Sequence, residues 1–337
     1  MLLLALAVGP MVIGSTGCGS GGSKPGPAQK LAPQAKRPPA VPPVKQVAIS
    51  SGQVDAAKKI LLDTAGVQDS ITRAHAIESM RQTDPTFFKS NILAGLDDRA
   101  GVVRLAASIA IGELKIAEAH ENLLTKVDDN DPLVRVAVRF ALHRLGDTTY
   151  SRGLEISARS DNRHVRGMTA MCLGMLGEQS ALRVLRPMQA DRDAVVRLQV
   201  AEALWRLGNA EGLENLVAGA ISAYPDDQMV AFLALAQPRD TRVLEHVRAG
   251  LTADYEEVRL VAARAMGMLG KDEGYSIAIT GSKNVDPRKK VLALLAFGAI
   301  GRADAIEYIE PLLTDGNADV RLSAATAVMQ IVSKDEG

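Results

Sequence analysis

Arginine recurs in this chain at a fixed spacing of 31 residues, and that spacing constrains the fold more than any other feature. The series has nine positions without an insertion: Arg73, Arg104, Arg135, Arg166, Arg197, Gln228, Arg259, Lys290 and Arg321. A fixed period of this length indicates one structural unit copied end to end. Repeat arrays grow in one direction, which argues against the compact active site of a globular enzyme.

The residues around each position have the period of an α-helix. Counted from the recurrent position, offsets −1, +3, +6, +7 and +10 form an apolar stripe, as expected for a face packed on a partner helix. Offsets 0, +4 and +8 form a second face with many small residues, including Gly174 and Gly267. Glycine inside a helix costs roughly 1 kcal/mol relative to alanine, so its recurrence predicts close approach by a neighbouring helix. Asp131-Pro132 marks a helix start, and glycine at offset +11 marks the end in five units.

A shorter apolar-periodic stretch lies between consecutive marked helices, as at Leu182 and Leu185. The unit is therefore a helix–turn–helix pair, and neither helix can bury its stripe without the neighbouring units. We predict an all-α fold, an α-solenoid of about nine 31-residue helix pairs over residues 51–337. The second helices should be centred on residues 77, 108, 139, 170, 201, 232, 263, 294 and 325.

The string Asp-(x)4-Val-Arg-(x)5-Ala-Leu-Gly-x-Leu-Gly resembles the second helix of HEAT repeats. It is clearest around Arg135 and Arg197, and the repeat length is similar to that of bacterial HEAT-like repeats of the phycobilisome-lyase type. The resemblance covers roughly residues 52–337 and implies a HEAT/armadillo-like superhelix. The repeat at Gln228 departs from the pattern, because Pro238-Arg239 replaces Leu-Gly, and we expect a weakened contact or a bend there.

The recurrent arginines are assigned to the fold. Buried arginine is normally paired with carboxylates, and the turns between helices supply aspartates. A phosphate-binding ladder of arginines is the functional alternative that we weigh against this structural role.

Residues 1–17 have the pattern of a signal peptide. The stretch from Met1 to Ile13 is apolar apart from a Gly-Pro pair, and it is too short to cross a bilayer, which needs about 20 residues. The small residues that follow, ending at Cys18, resemble the bacterial lipobox, in which the cysteine is lipidated. Ser15 stands where the lipobox has leucine, and no Lys or Arg precedes the apolar core. We predict a lipoprotein signal peptide with lipidation at Cys18; the alternative is a cytoplasmic chain with an apolar start.

Residues 18–50 are rich in Pro, Gly and Ala and contain no acidic residue after Cys18. Such a segment cannot bury a core, so we predict a disordered tether between the lipid and the array. Gly19 rather than aspartate follows the cysteine, which by resemblance to Gram-negative lipoproteins indicates the periplasmic face of the outer membrane. The expected location is the cell envelope, with membrane contact through the N-terminal lipid only.

Charge and motif content argue against several functions. The chain has 39 basic and 39 acidic residues, and five of the basic ones precede residue 51, so the array carries a net charge of −5. A nucleic-acid partner would require a basic stripe instead. The chain has no metal-ligand motif and one His-Glu dipeptide, at His120, so the activity of the HEAT-repeat iron enzyme deoxyhypusine hydroxylase is not expected. We predict a protein that is not an enzyme and has no cofactor or metal; Cys172, at a small-residue position, should be a buried inert thiol.

Offsets +2, +5 and +9 should face the inner curve of the superhelix and form a protein-binding groove with adaptable methionine contacts. Its apolar members are Ile109, Phe140, Met168, Met171, Met175, Leu233, Met268, Leu292 and Leu295. The first and last repeats are polar at these offsets, as expected for exposed terminal caps; the cap residues are His75, Glu78, Gln82, Ser323, Thr326 and Gln330. The alternative is that adjacent helices cover the groove.

The function predicted from these features is a membrane-tethered, non-catalytic scaffold that binds an unknown protein partner in the groove. The alternative is an accessory protein of an enzyme system, bilin-lyase-like or chaperone-like, that holds a prosthetic group or client. The sequence leaves the partner and the oligomeric state unknown.

Overall fold

The computed structural model describes residues 38–335, and within that range it contains eighteen α-helices and no strand. The first helices of the nine pairs are α1 (Ser51–Ala65), α3 (Lys89–Ala94), α5 (His120–Leu124), α7 (Ser151–Ser157), α9 (Leu182–Met188), α11 (Ala210–Ala220), α13 (Leu244–Ala249), α15 (Tyr275–Ser282) and α17 (Ile306–Ile309). The second helices are α2 (Ser70–Thr83), α4 (Gly101–Leu114), α6 (Pro132–Arg144), α8 (Arg163–Leu176), α10 (Ala194–Arg206), α12 (Pro225–Ala236), α14 (Glu256–Met268), α16 (Pro287–Ile300) and α18 (Ala318–Asp335). Each predicted centre lies inside one of the second helices, so the predicted all-α solenoid is confirmed.

Local sequence signals place the helix ends. Asp131 precedes α6, and its carboxylate accepts a hydrogen bond from the amide of Leu133 at 2.9 Å, which satisfies a donor that the first turn leaves free. Glycine at offset +11 adopts the left-handed conformation in five units, with φ between 74° and 97° at Gly177 and Gly146 respectively. An L residue is strained in this conformation, so glycine ends the helix at little cost.

The second helices form the inner layer, and each packs against the next one along the chain. The small face at offsets 0, +4 and +8 lies at these contacts. A Cβ atom added to Gly174 would stand 2.7 Å from the Cα of Ala203, one repeat onward, and at Gly267 it would stand 2.6 Å from the carbonyl carbon of Ala299. The glycines therefore permit the close approach that their recurrence predicts.

Arginine–aspartate pairs join neighbouring turns, which is the structural role predicted from the sequence. The guanidinium of Arg166 forms two hydrogen bonds with Asp191, 25 residues onward, at 2.6 and 2.8 Å, and both side chains are buried. The pair holds the pKa of Asp191 below its ordinary value. The same spacing joins Arg73 to Asp98, Arg104 to Asp129 and Lys290 to Asp315.

The pairing is interrupted where the residue 25 positions onward is not an aspartate. Arg135 and Arg197 face Ser160 and Ser222 at the corresponding position, and they donate to backbone carbonyls of their own turns. These two arginines fix one turn each, whereas the paired ones link two repeats.

The first and last repeats contact each other, so the second helices form a closed ring. The hydroxyl oxygens of Ser79 on α2 and Thr326 on α18 lie 2.9 Å apart, and the Gln330 side-chain amide donates to the Gln82 carbonyl oxygen at 3.0 Å. The prediction that these polar positions form exposed terminal caps is wrong. Three of them, Gln82, Thr326 and Gln330, hydrogen-bond across a seam between two helices.

The chain before α1 lies against the last two repeats. The guanidinium of Arg302 donates to the carbonyl oxygens of Pro42 at 3.0 Å and Pro43 at 3.1 Å, and it pairs with Asp304 at 2.7 Å. The Lys45 amide donates to the same carboxylate at 3.0 Å. Burial opposes ionisation of Asp304, yet the bonds from Arg302 and Lys45 lower its pKa to about 2. The final part of the segment assigned to the tether is thus fixed to the array.

The repeat at Gln228 has the weakened contact that its sequence predicts. Its helix α12 shares a smaller interface with α10 than any other two successive inner helices share. Trp205 bridges the two helices, and its indole nitrogen donates to the carbonyl of Leu235 at 3.2 Å. One large side chain there replaces part of the close helix contact.

We expect the Arg166→Met substitution to lower the free energy of unfolding by about 3 kcal/mol, because it leaves Asp191 buried without its partner. The matched substitution Arg197→Met removes only an exposed bond to the Asp191 carbonyl and should cost less than about 1 kcal/mol. Urea denaturation of both variants measures the difference at neutral pH. Because the pKa of Asp191 is lowered in the folded protein, the pair stabilises the fold above the ordinary aspartate pKa of about 4. The difference between the losses of the two variants should therefore shrink as the pH falls below that value. Equal losses in the two variants at neutral pH would show that the ion pair has no such role.

Candidate functional site

The ring encloses a central cavity of about 540 Å³. Its lining comes from the second helices and the turns directly after them, and it draws on α2, α4, α8, α10, α14, α16 and α18. Most lining residues stand at offsets +5, +8 and +9, so the inward face is close to the one that the helical period indicates. The volume lies within the range of about 300–1,000 Å³ that small-molecule sites occupy.

The nine predicted groove residues separate into three sets. Ile109, Met171, Met175 and Met268 line the cavity. Phe140, Met168 and Leu233 are buried and are not part of the lining, and Phe140 has no exposed surface at all. Leu292 and Leu295 are half-buried away from the cavity.

The expected continuous apolar groove is therefore replaced by a shorter apolar patch inside a chamber that is partly open to solvent. Phe140 shows the physical reason. Its ring packs where Gly112 of the preceding repeat leaves space, since a Cβ atom at Gly112 would stand 2.7 Å from the ring. Glycine on one helix lets the neighbouring helix take the side chain into the core.

Charged residues make up a large part of the cavity lining, and the helical period places four of them, Glu78, Glu113, Arg206 and Arg264, at the inner offsets +5 and +9. Five are basic and two are acidic, a formal net charge of +3; the residues are Arg81, Arg206, Arg239, Arg264, Lys334, Glu78 and Glu113. The helical period does not place Arg81, Arg239 and Lys334 on the inner face, because they stand at offsets +8, +11 and +13.

Two of the five basic groups are neutralised locally. Arg81 pairs with Glu113 at 2.7 Å and lies 3.8 Å from Glu78. Arg206 pairs with Glu202 on its own helix at 2.8 Å. No ion pair to a carboxylate within residues 38–335 involves the other three, Arg239, Arg264 and Lys334.

Arg264 is the most deeply placed of these basic groups. Its Nη1 atom is buried, and it has no hydrogen-bond partner in the described part of the chain. Loss of hydration lowers the pKa of Arg264, and the nearby charge of Glu78 offsets that effect only in part. A buried guanidinium nitrogen without an acceptor is costly, so this atom marks a place where an acceptor would stabilise the protein.

Arg239 reaches the cavity through an unusual backbone conformation. It stands at offset +11, where five other repeats have glycine, and its φ is 56°. The left-handed conformation costs an L residue about 1–2 kcal/mol. Lys115 occupies the same offset with φ 52°, but it is not part of the cavity lining.

A second polar constellation lies between the third and fifth repeats. His143 Nδ1 lies 2.7 Å from the Ser151 hydroxyl, and its Nε2 lies 2.7 Å from a Glu178 carboxylate oxygen, the residue types of a hydrolase triad. The amides of Ser151 and Gly153, which could stabilise an oxyanion, donate instead to carbonyls of their own turn. We therefore interpret the cluster as a hydrogen-bonded link between repeats.

The remaining predictions concern single residues. Cys172 is fully buried and is not in a disulfide, and burial raises its pKa, as an inert thiol requires. Cys18 and the signal peptide lie outside the described residues. No three His, Cys, Asp or Glu side chains in residues 38–335 are grouped to hold a metal ion. No helix in that range is long and apolar enough to span a bilayer.

Some exposed apolar side chains were not singled out by the helical pattern, because they lie in turns. They are Ile221, Tyr224, Tyr255 and Val285, from three successive repeats. Ile221 and Tyr255 border a second cavity of about 660 Å³ at the irregular repeat.

Comparisons with known proteins agree with the repeat architecture. A family model of HEAT repeats matches residues 152–235, which supports a HEAT-like repeat protein. Among solved structures, the chain is similar to a chain of the CpcE–CpcF complex of phycocyanin lyase from Nostoc sp. PCC7120, with 18% identity and a TM-score of 0.44, over 71% of this chain and 97% of that one. It is also similar to human deoxyhypusine hydroxylase in complex with glycerol, with 16% identity and a TM-score of 0.38, over 84% of this chain and 96% of that one. A comparison with curated protein sequences gives no match.

Proposed function

We propose that this protein is a non-catalytic, membrane-tethered binding protein that holds a small molecule in the central cavity of its ring. The observation that carries the proposal is the closure of the ring by α1, α2 and α18, which turns the concave face into a chamber of about 540 Å³. The chamber combines methionine side chains with arginines, and small-molecule sites typically combine an apolar lining with a few convergent polar groups. This is the accessory role of holding a prosthetic group or small client for another protein.

A small ligand fits the cavity better than the segment of a protein partner that the sequence favoured. Phe140, Met168 and Leu233 are buried in the core and offer no surface to a partner. The remaining apolar positions share the cavity lining with charged side chains from several helices. A docked helix requires a continuous apolar stripe, which this lining does not provide.

The membrane tether is the second part of the proposal. Its support is the sequence pattern up to Cys18 and the proline-rich stretch that follows it. The 22 residues from Cys18 to Ala40 can span at most about 75 Å when extended. Ala40 itself is fixed, because its carbonyl accepts a hydrogen bond from Ser276 at 2.5 Å. A lipid at Cys18 would therefore hold the ring near the periplasmic face of an outer membrane. The tether would join the ring at Ala40.

The cavity proposal is tested by filling the cavity. Protein purified from its own membranes in mild detergent should carry a small-molecule adduct in native mass spectrometry, and the Met171→Trp plus Met268→Trp variant should lack it, because two indoles occupy the space. The control Val195→Trp adds an indole at an exposed position outside the cavity and should retain the adduct.

An adduct that persists in the double variant, or a wild-type protein without one, contradicts the cavity proposal. A co-purifying protein chain that only the double variant loses would favour the protein-binding scaffold instead.

The tether proposal predicts that Cys18→Ser moves the protein from the membrane fraction to the soluble fraction and abolishes labelling by a fatty-acid probe. Without the thiol, no lipid can be attached, and the described residues contain no membrane-spanning helix. Fractionation with Cys172→Ala as the control measures this, since that thiol is buried within the array. Equal membrane retention of both variants would refute the lipid anchor.

A further inference from the structure

We propose that the central cavity binds a small organic anion, a carboxylate or phosphate ester with an apolar body, and that Arg239, Arg264 and Lys334 recognise its charged group. This inference rests on the proposed function and specifies its ligand. Three independent features of the lining lead to it.

The first feature is the excess of positive charge. After the pairs of Arg81 with Glu113 and Arg206 with Glu202 are set aside, three cations and Glu78 remain. Glu78 lies near both Arg81 and Arg264, so one carboxylate serves two guanidinium groups. The chamber is basic, whereas the array as a whole carries a net charge of −5. The local excess therefore does not follow from overall composition.

The second feature is the mutual placement of the cations. The charge of Arg239 is close enough to Lys334 to lower the pKa of Lys334, in addition to the larger effect of lost hydration. The Lys334 ammonium donates to the carbonyl of Ala299, which is a neutral acceptor. Arg264 contributes a buried Nη1 without an acceptor to the same chamber. Like charges that outnumber the carboxylates beside them are stabilised by a bound anion, which guanidinium groups bind with paired hydrogen bonds.

The third feature is the backbone at Arg239. Arg239 and Gly270, which has the same offset in the next repeat, both line the cavity, whereas other residues at offset +11, such as Lys115, do not. Glycine ends the helix without strain at that offset, with φ 75° at Gly270. Arg239 adopts the left-handed conformation instead and lines the chamber. Strained residues of this kind concentrate at binding sites. Lys115 has the same strain outside the chamber, so the strain at Arg239 supports a function only together with its place in the lining.

The rest of the lining indicates the remainder of the ligand. Ile109, Met171, Met175 and Met268 form the apolar part of the chamber. Methionine adapts its shape to different apolar groups. An inorganic anion would leave this surface without contacts, so the ligand class is an anion that carries an apolar group.

Two fluorescent probes test the charge requirement directly. The probe 8-anilinonaphthalene-1-sulfonate is anionic, and N-phenyl-1-naphthylamine is the same molecule without its sulfonate. Arg239→Gly should weaken binding of the sulfonate probe by about tenfold, the usual effect of losing one charged hydrogen bond, and change binding of the neutral probe less than about twofold. Lys115→Gly is the matched control, because it relieves the same backbone strain outside the cavity, and it should change neither affinity by more than about twofold.

Competition identifies the anionic group. Octanoate or octyl phosphate should displace the sulfonate probe from the wild-type protein, and the more effective competitor distinguishes a carboxylate from a phosphate ligand. Arg264→Gln provides a second variant with the same expected loss, and circular dichroism verifies that its helices are retained. The inference is overturned if Arg239→Gly binds the sulfonate probe as tightly as the wild type, or if neither competitor displaces it.

The cavity-filling variant with Met171→Trp and Met268→Trp distinguishes failure of the anion inference from failure of the proposed function. If it loses both probes while Arg239→Gly loses neither, the cavity binds small molecules without selecting anions, and only the present inference fails. If it retains both probes at wild-type affinity, they bind elsewhere, and both the inference and the cavity proposal fail.

Discussion

Each helix pair in this protein can bury its apolar face only against the next pair, and the rest of the structure depends on that constraint. A linear array would leave two faces without a neighbour, one at each end. Here α18 packs against α1 and α2, so each terminal pair covers the other. Polar side chains such as Gln82 and Gln330 hydrogen-bond across this seam, and Arg302 attaches the chain before α1 beside it. Closure thus gives every repeat the same kind of environment on both sides.

Closure also determines what the inner face can do. An open superhelix presents a long groove, which suits an extended segment of another protein. A closed ring presents a chamber whose size is fixed by the number of repeats. The side chains that enter it come from seven helices far apart in the sequence, so charges such as Arg239, Arg264 and Lys334 converge although no local motif connects them. The arginine–aspartate pairs between turns are not part of the chamber lining, and their role is structural. The residues that line the chamber can therefore take on a binding role.

Much of the fold could be predicted from the sequence because the relevant signals are local. The positions of the second helices follow from a repeated apolar period, the starts from capping aspartates such as Asp131, and the ends from glycines that adopt positive φ. Ring closure could not be predicted in the same way. It depends on a small rotation between repeats, and the rotation accumulates over nine of them.

The candidate site was predictable only in part. Met171 and Met268 line the chamber, whereas Phe140, which has the same offset as Met171, lies in the core because Gly112 of the preceding repeat leaves space for its ring. Arg239 is a departure from the repeat in the sequence, and in the structure it adopts a left-handed backbone conformation with a φ of 56°. Its convergence with Lys334 required the three-dimensional structure.

The closed ring is tested most directly by a disulfide across the seam. With Cys18→Ser and Cys172→Ala as background, Ser79→Cys and Thr326→Cys replace two hydroxyl groups whose oxygens lie 2.9 Å apart. Side chains this close can meet the geometric requirements of a disulfide without large backbone movement. If the ring is closed, the folded protein forms this bond under mild oxidation and migrates faster on a non-reducing gel, and reductant reverses the change. Two thiols that stay reduced and react freely with maleimide in the folded protein would contradict ring closure, because the first and last repeats would then be apart in solution.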